Sequence, residues 1–146
     1  MARNKPRPFI DTNVLFSGFY QSLGPSAQIL NQHAKGKITM IISRQILEEL
    51  VTNFRLKKRE LLFQLKTYLT NTPPEIVADP TAEQVEKVSS LINPTDAPIL
   101  AAAINSKADC LVTGNTRHFT AKVSKQTGIL IFTPGIYVKR INPGGR

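Results

Sequence analysis

Three stretches of this chain set carboxylates in apolar company: "PFIDTN" around Asp11, "ILEEL" around Glu48 and Glu49, and "TDAPIL" around Asp96. An unpaired buried charge is costly, and carboxylates that gather raise one another's pKa. A hard divalent cation relieves both problems, because Mg²⁺ or Mn²⁺ takes oxygen ligands and usually keeps several waters. On a basic protein such a cation points to phosphoryl or phosphodiester chemistry, activating an attacking water and stabilising the charged transition state. The competing reading makes these acids unrelated surface groups. On that reading Asp96 is a helix cap or a favourable dipole partner, worth about 0.3–1 kcal/mol.

Which reading holds depends on the elements that carry the acids. Residues 7–11 read as a short strand ending on Asp11. "GPSAQILNQHAKGK" predicts a helix from Pro25 with Gly36 as its stop, and "ITMII" (38–42) a strand covered on both faces. Ser43 is placed to cap a helix whose Ile46, Leu47, Leu50, Val51 and Phe54 keep helical spacing. Further helices are expected over 57–69 and 81–92, with "EIVA" a short strand between them. "TDAPILAAAINSK" reads as a helix, and "DCLVT" (109–113) and "ILIF" (129–132) as strands.

Strands alternating with helices predict an α/β, three-layer α/β/α sandwich around a parallel sheet. Right-handed crossovers bring the strands' C-terminal ends to one edge, where such folds carry their ligands. Asp11 and Asn115 fall there. Asp96 shares a stripe with Ile99, Leu100, Ala103 and Ile104 in the first turn of its helix. Glu48 and Glu49 both flank the apolar stripe of theirs, and spacing alone does not choose between them. Asp109 begins a strand and belongs at the opposite edge; Asp79, beside Pro80, reads as a turn or cap residue.

Composition bounds the rest. The 146 residues suit one domain, taken as 1–138, with a basic, Pro/Gly-rich and mobile tail at 139–146. Lone Cys110 sits in an apolar run and reads as a buried thiol, compatible with a reducing compartment. No run is long enough for a membrane span, and "MARNKPRPF" leads directly into the first strand, so no membrane association and a cytoplasmic location are expected. Nineteen Lys and Arg against ten Asp and Glu give a formal charge of +9. That favours a polyanionic partner, unless the chain is merely basic.

"FIDTNVLFSG", "SRQILEEL", "TDAPILAAAINSKADCLVTGN" and "RHF" together resemble the PIN-domain family, in particular its bacterial branch of toxin components of toxin–antitoxin modules. The resemblance spans about residues 7–138. It implies a PIN-like, Rossmann-like fold and a metal-dependent ribonuclease that leaves a 5′-phosphate and a 3′-hydroxyl. Asp11, Glu49 (selected over Glu48 by its spacing from Ser43) and Asp96 match the family's metal-holding acids. Asn115 occupies a fourth position that is often acidic. Its amide offers a carbonyl oxygen but no charge, so weaker metal binding is expected. Asn13 and Thr113 match positions that orient the acids. The resemblance further implies RNA as substrate, Mg²⁺ or Mn²⁺ as cofactor, a homodimer and a neutralising antitoxin.

Among the basic residues, Arg55, Lys57 and Lys58 in "RLKKRE" either track an RNA backbone or form a solvated helix face. Arg117, next but one to Asn115, is either a phosphate contact or a loop charge. His118 is given no catalytic role, and His33 reads as surface or packing. Phe16, Phe19 and Tyr20 read as core or dimer packing, or as rim residues that touch a base. The rival function is an RNA- or protein-binding module of the same fold with weak or no cleavage, favoured by the missing fourth acid. A phosphorelay receiver would need an acidic pair near the first strand and a Lys after the last, and has neither.

Overall fold

A computed structural model describes residues 5–143. Five parallel strands form one sheet in the order β3-β2-β1-β4-β5: β1 Pro8–Ile10, β2 Ile41–Ser43, β3 Glu75–Val77, β4 Cys110–Val112 and β5 Ile131–Phe132. The chain builds outward from β1 to β3, then returns to the other side of β1 for β4 and β5. That reversal makes the β1/β4 boundary the topological switch point, where the crevice of an open parallel sheet lies.

Among the described residues eight α-helices cover the sheet: α1 Thr12–Tyr20, α2 Pro25–Ala34, α3 Arg44–Lys57, α4 Leu62–Asn71, α5 Ala82–Glu86, α6 Ala97–Asn105, α7 Ala121–Thr127 and α8 Pro134–Ile141. Helix α1 packs on α2 and α3, α3 on α4, and α8 on α2, while α5 packs on α6. Right-handed crossovers set these groups on opposite faces. Phe9, Ile10, Ile41, Ile42, Leu111 and Val112 are buried between the layers. This is the expected three-layer sandwich. Among the described residues no helix is long and apolar enough to cross a membrane.

Local chemistry sets the boundaries. The Ile46 amide donates to Ser43 Oγ at 3.3 Å, capping α3, and the Gln45 amide donates to Asp79 Oδ1 at 2.8 Å, so Asp79 caps the same helix from another segment. Gly36 (φ 78°) ends the turn after α2 in the left-handed region. At Gly18, α1 and α2 approach so closely that a Cβ would lie 2.6 Å from Leu30 Cδ1 and 3.0 Å from the Ser26 carbonyl oxygen. Asp109 accepts the Arg7 amide at 2.6 Å, at the edge away from Asp11.

Several expectations need correction. Helix α1 follows β1 without a break, a helix that the sequence reading does not assign. The 81–92 helix is only α5, followed by turns, because Thr81 and Gln84 form a capping box at its start but nothing sustains it beyond Glu86. The 57–69 helix is split: a 3₁₀ turn at Arg59–Leu61 precedes α4. The tail boundary at 138/139 also moves. Thr133 caps α8, Tyr137 is buried, and Lys139 and Arg140 form the last turn, so the folded part includes 139–141. Two basic residues near the ends are held: Arg7 forks onto Glu75 at 3.0 and 2.9 Å, and the Arg140 guanidinium, in the stretch expected to be mobile, lies 4.7 Å from the Phe132 ring centre. Arg3 and Arg146 lie outside the described residues.

Phe54 on α3 is fully buried and meets the rings of Phe16 and Phe19 edge-on at 5.1 and 5.6 Å. Phe54→Ala is expected to remove about 3–5 kcal/mol of stability, read as a lower midpoint in urea denaturation.

Candidate active site

The site begins where β1 stops. Asp11 is 7 % exposed. It is the N-cap of α1, and its Oδ1 accepts the Thr12 amide at 2.8 Å. Its Oδ2 accepts the Thr113 hydroxyl at 2.8 Å and the Asn13 side-chain amide at 3.1 Å. Thr113 follows β4, so this bond ties the carboxylate across the switch point. Asn13 is held in turn, its Oδ1 accepting the Gly114 amide at 2.8 Å. Burial pushes the Asp11 carboxyl above its ordinary pKa; the hydrogen bonds from Thr113, Thr12 and Asn13 pull the other way, and the Glu49 charge adds to the rise.

Glu49 joins from α3. Its Oε1 accepts the Thr12 hydroxyl at 2.7 Å and its Oε2 accepts the Gln45 amide at 3.0 Å. Glu48, the alternative, is exposed. Asp96 stands at the start of α6 with a side chain that caps no backbone group. It accepts Asn93 Nδ2 at 2.8 Å on Oδ2 and Asn115 Nδ2 at 3.4 Å on Oδ1, and His118 Nδ1 lies 2.7 Å from Oδ2. Helix capping therefore does not account for this carboxylate. Asn93 instead closes the turn that leads into α6, its Oδ1 accepting the Asp96 amide at 3.1 Å.

Asp11, Glu49, Asp96 and Asn115 line one cleft of about 270 Å³, together with Asn13 and Asn53. The four candidate positions, which span most of the chain, thus meet at the strands' C-terminal edge. The donor types are hard oxygens, which suit Mg²⁺ or Mn²⁺, and a buried carboxylate facing a second one is a site that a cation stabilises. Among the described residues no three His, Cys, Asp or Glu side chains form a ready-made ligand cage. Each acid is instead satisfied separately, Glu49 by Thr12 and Gln45, Asp96 by Asn93, Asn115 and His118.

Other candidates fall elsewhere. Lys57 and Lys58 stand over the rings of Phe16 and Tyr20 at 6.0 and 4.2 Å. Neither they nor Arg55 lines the cleft. Phe16 and Phe19 pack against Phe54, and Phe19 against Tyr68, as core packing predicts. His33 is buried, its Nδ1 accepting the Met40 amide at 3.2 Å, a packing role. Sequence reasoning missed Thr12, Gln45, Asn53, Asn93 and His118. Gln45 and Asn53 each stand four residues from Glu49, on its helical face. Asn93 stands three before Asp96, the capping distance. His118 carried no comparable signal.

A family model described as PIN domain matches residues 7–117. The chain therefore belongs to the PIN-domain family, whose members are generally nucleases. No curated protein sequence matches significantly. Among solved structures, the fold is similar to VapBC2 from Rickettsia felis bound to a DNA fragment from their promoter: TM-score 0.61, 21 % identity, over 87 % of this chain and 98 % of that one. It is also similar to PAE2754 from Pyrobaculum aerophilum: TM-score 0.62, 16 % identity, over 94 % and 96 %.

The Asp11 carboxyl binds its proton more tightly folded than unfolded. Its ionisation therefore costs native stability as pH rises above the ordinary value of 3.8. In chelator at neutral pH, Asp11→Asn is expected to melt at a higher temperature than the parent protein. The advantage should disappear once the pH falls below that value, as followed by circular dichroism.

Proposed function

We propose that this protein is a cytoplasmic endoribonuclease dependent on Mg²⁺ or Mn²⁺, and that it is the toxin of a toxin–antitoxin pair. The observation that carries the nuclease reading is the meeting of Asp11, Glu49 and Asp96 in one cleft at the β1/β4 switch point, on a chain of formal charge +9. A cation held there by these three acids, with Asn115 in support, would activate water and stabilise charge on a phosphodiester.

The chain's own residues supply the rest. Thr113 and Asn13 fix Asp11 through Oδ2, and Oδ1 takes a single hydrogen bond, from the Thr12 amide. Gln45 and Thr12 hold Glu49, and Asn93 and His118 hold Asp96. A carboxylate of this set accepts the proton released by the attacking water.

The toxin reading rests on the sequence resemblance and on the likeness of fold to VapBC2. The exposed Leu23, Leu56 and Phe63 suit contact with an antitoxin or a second copy of the chain. The second reading, a binding module with weak or no cleavage, is favoured by Asn115 at the fourth position and by the separately satisfied acids.

One assay separates the two. A mixed single-stranded RNA pool is incubated with the protein and Mn²⁺. The nuclease reading expects cleavage that chelator abolishes and that Asp11→Asn or Asp96→Asn lowers by about 10²-fold or more, the scale of losing a transition-state charge interaction. Binding with no cleavage would establish the module; cleavage equal in both variants would point to a contaminating nuclease.

A further inference from the structure

His118 joins the acid cleft to a second concavity. Its Nδ1 lies 2.7 Å from Asp96 Oδ2, a separation at which two lone pairs repel, so Nδ1 carries the proton and donates it. That leaves Nε2 for another partner on a side chain that is 43 % exposed. The same ring, with Asn93, walls a groove of about 460 Å³ whose other lining includes Arg117, Thr120, Lys122 and Gln126. Asn93 and His118 both bond Asp96, which lines the cleft. The groove therefore adjoins the cleft at Asp96. Its chemistry is the reverse: two cations and several neutral donors, and no carboxylate in its lining. An acidic cleft repels a polyanion in the absence of a cation, whereas the adjoining groove attracts one. Its apolar members Leu91, Ile92 and Val123 offer surface to a sugar or a base.

We propose that this groove is the subsite for the nucleotide next to the cleavage point. Arg117 and Lys122 hold its phosphate, and His118 forms the boundary between that phosphate and the acids. This deepens the nuclease reading and rests on it. The substrate is then a single-stranded RNA that continues beyond the scissile bond on the α7 side. Lys122 stands in no motif or spacing that would mark it as a binding residue. Lys125, on the same helix, does not line the groove and provides a matched control.

The experiment measures fluorescence anisotropy of labelled oligouridylates in chelator over a range of salt, using the full chain. Lys122→Glu is expected to weaken binding of a twelve-nucleotide RNA (~12 nt) about tenfold, and Lys122→Ala to reduce the salt slope by about 0.7, one single-strand phosphate contact. Lys125→Glu, with the same change of charge, should stay within about twofold of the parent protein. Circular dichroism verifies that each variant is folded, and Arg117→Ala provides an independent second variant. Equal losses in Lys122→Glu and Lys125→Glu, or no loss in either Lys122 variant and Arg117→Ala, would overturn the subsite. Cleavage assays with Mn²⁺ keep the two readings apart. Cleavage indifferent to Lys122 and Arg117 defeats the groove and leaves the nuclease standing. Groove-dependent binding without cleavage defeats the nuclease and leaves an RNA site.

Discussion

The arrangement of the cleft depends on one carboxylate held out of water. Asp11 ends the central strand, starts the first helix and takes a hydroxyl hydrogen bond from Thr113 on the neighbouring strand's exit. Each partner is neutral, so the charge is solvated by dipoles and not cancelled. Such a group is tolerated because three donors converge on it, and it remains available to an external cation because none of them is one. The remaining polar contacts extend outward from this point: Asn13 fastens the Gly114 loop, Thr12 fastens Glu49, and the Thr113 hydroxyl also accepts the Asn115 amide.

The inner strands β1, β2 and β4 were legible because they lie in short apolar runs flanked by turn residues, a pattern that strands buried on both faces require. Strand-end positions of Asp11 and Asn115 followed directly. Helix α1 was not legible. Its segment "TNVLFSGFY" carries Gly18 inside it and lacks a separate start signal, since the residue that caps it reads equally as the end of a strand. Gly18 is there for contact with α2, a tertiary demand that overrides its poor helix propensity. The last helix was obscured for a related reason: Pro134 and Gly135 look like breakers, yet proline suits a first helical turn.

The acids themselves were found, but their hydrogen-bond partners were found only in part. Residue spacing on a helix identifies neighbours such as Gln45 and Glu49, because they share a face. It does not identify His118, which reaches Asp96 from a loop 22 residues away. The bland account of Asp96 as a capping residue fails on the direction of its side chain, a property that sequence position does not determine. The structure thereby separates two roles that the sequence had merged: Asn93 caps the turn into α6, and Asp96 faces the cleft.

The Asp11–Thr113 bond closes a separation of 102 residues. Synthesis runs from the N-terminus, so the acid leaves the ribosome well before its partner. Asn115 and the His118 contact come later still. A nascent chain therefore lacks an assembled cleft until β4 and the loop after it have emerged. The acid therefore waits, without its hydroxyl donor, while β2, β3 and the helices between them are made.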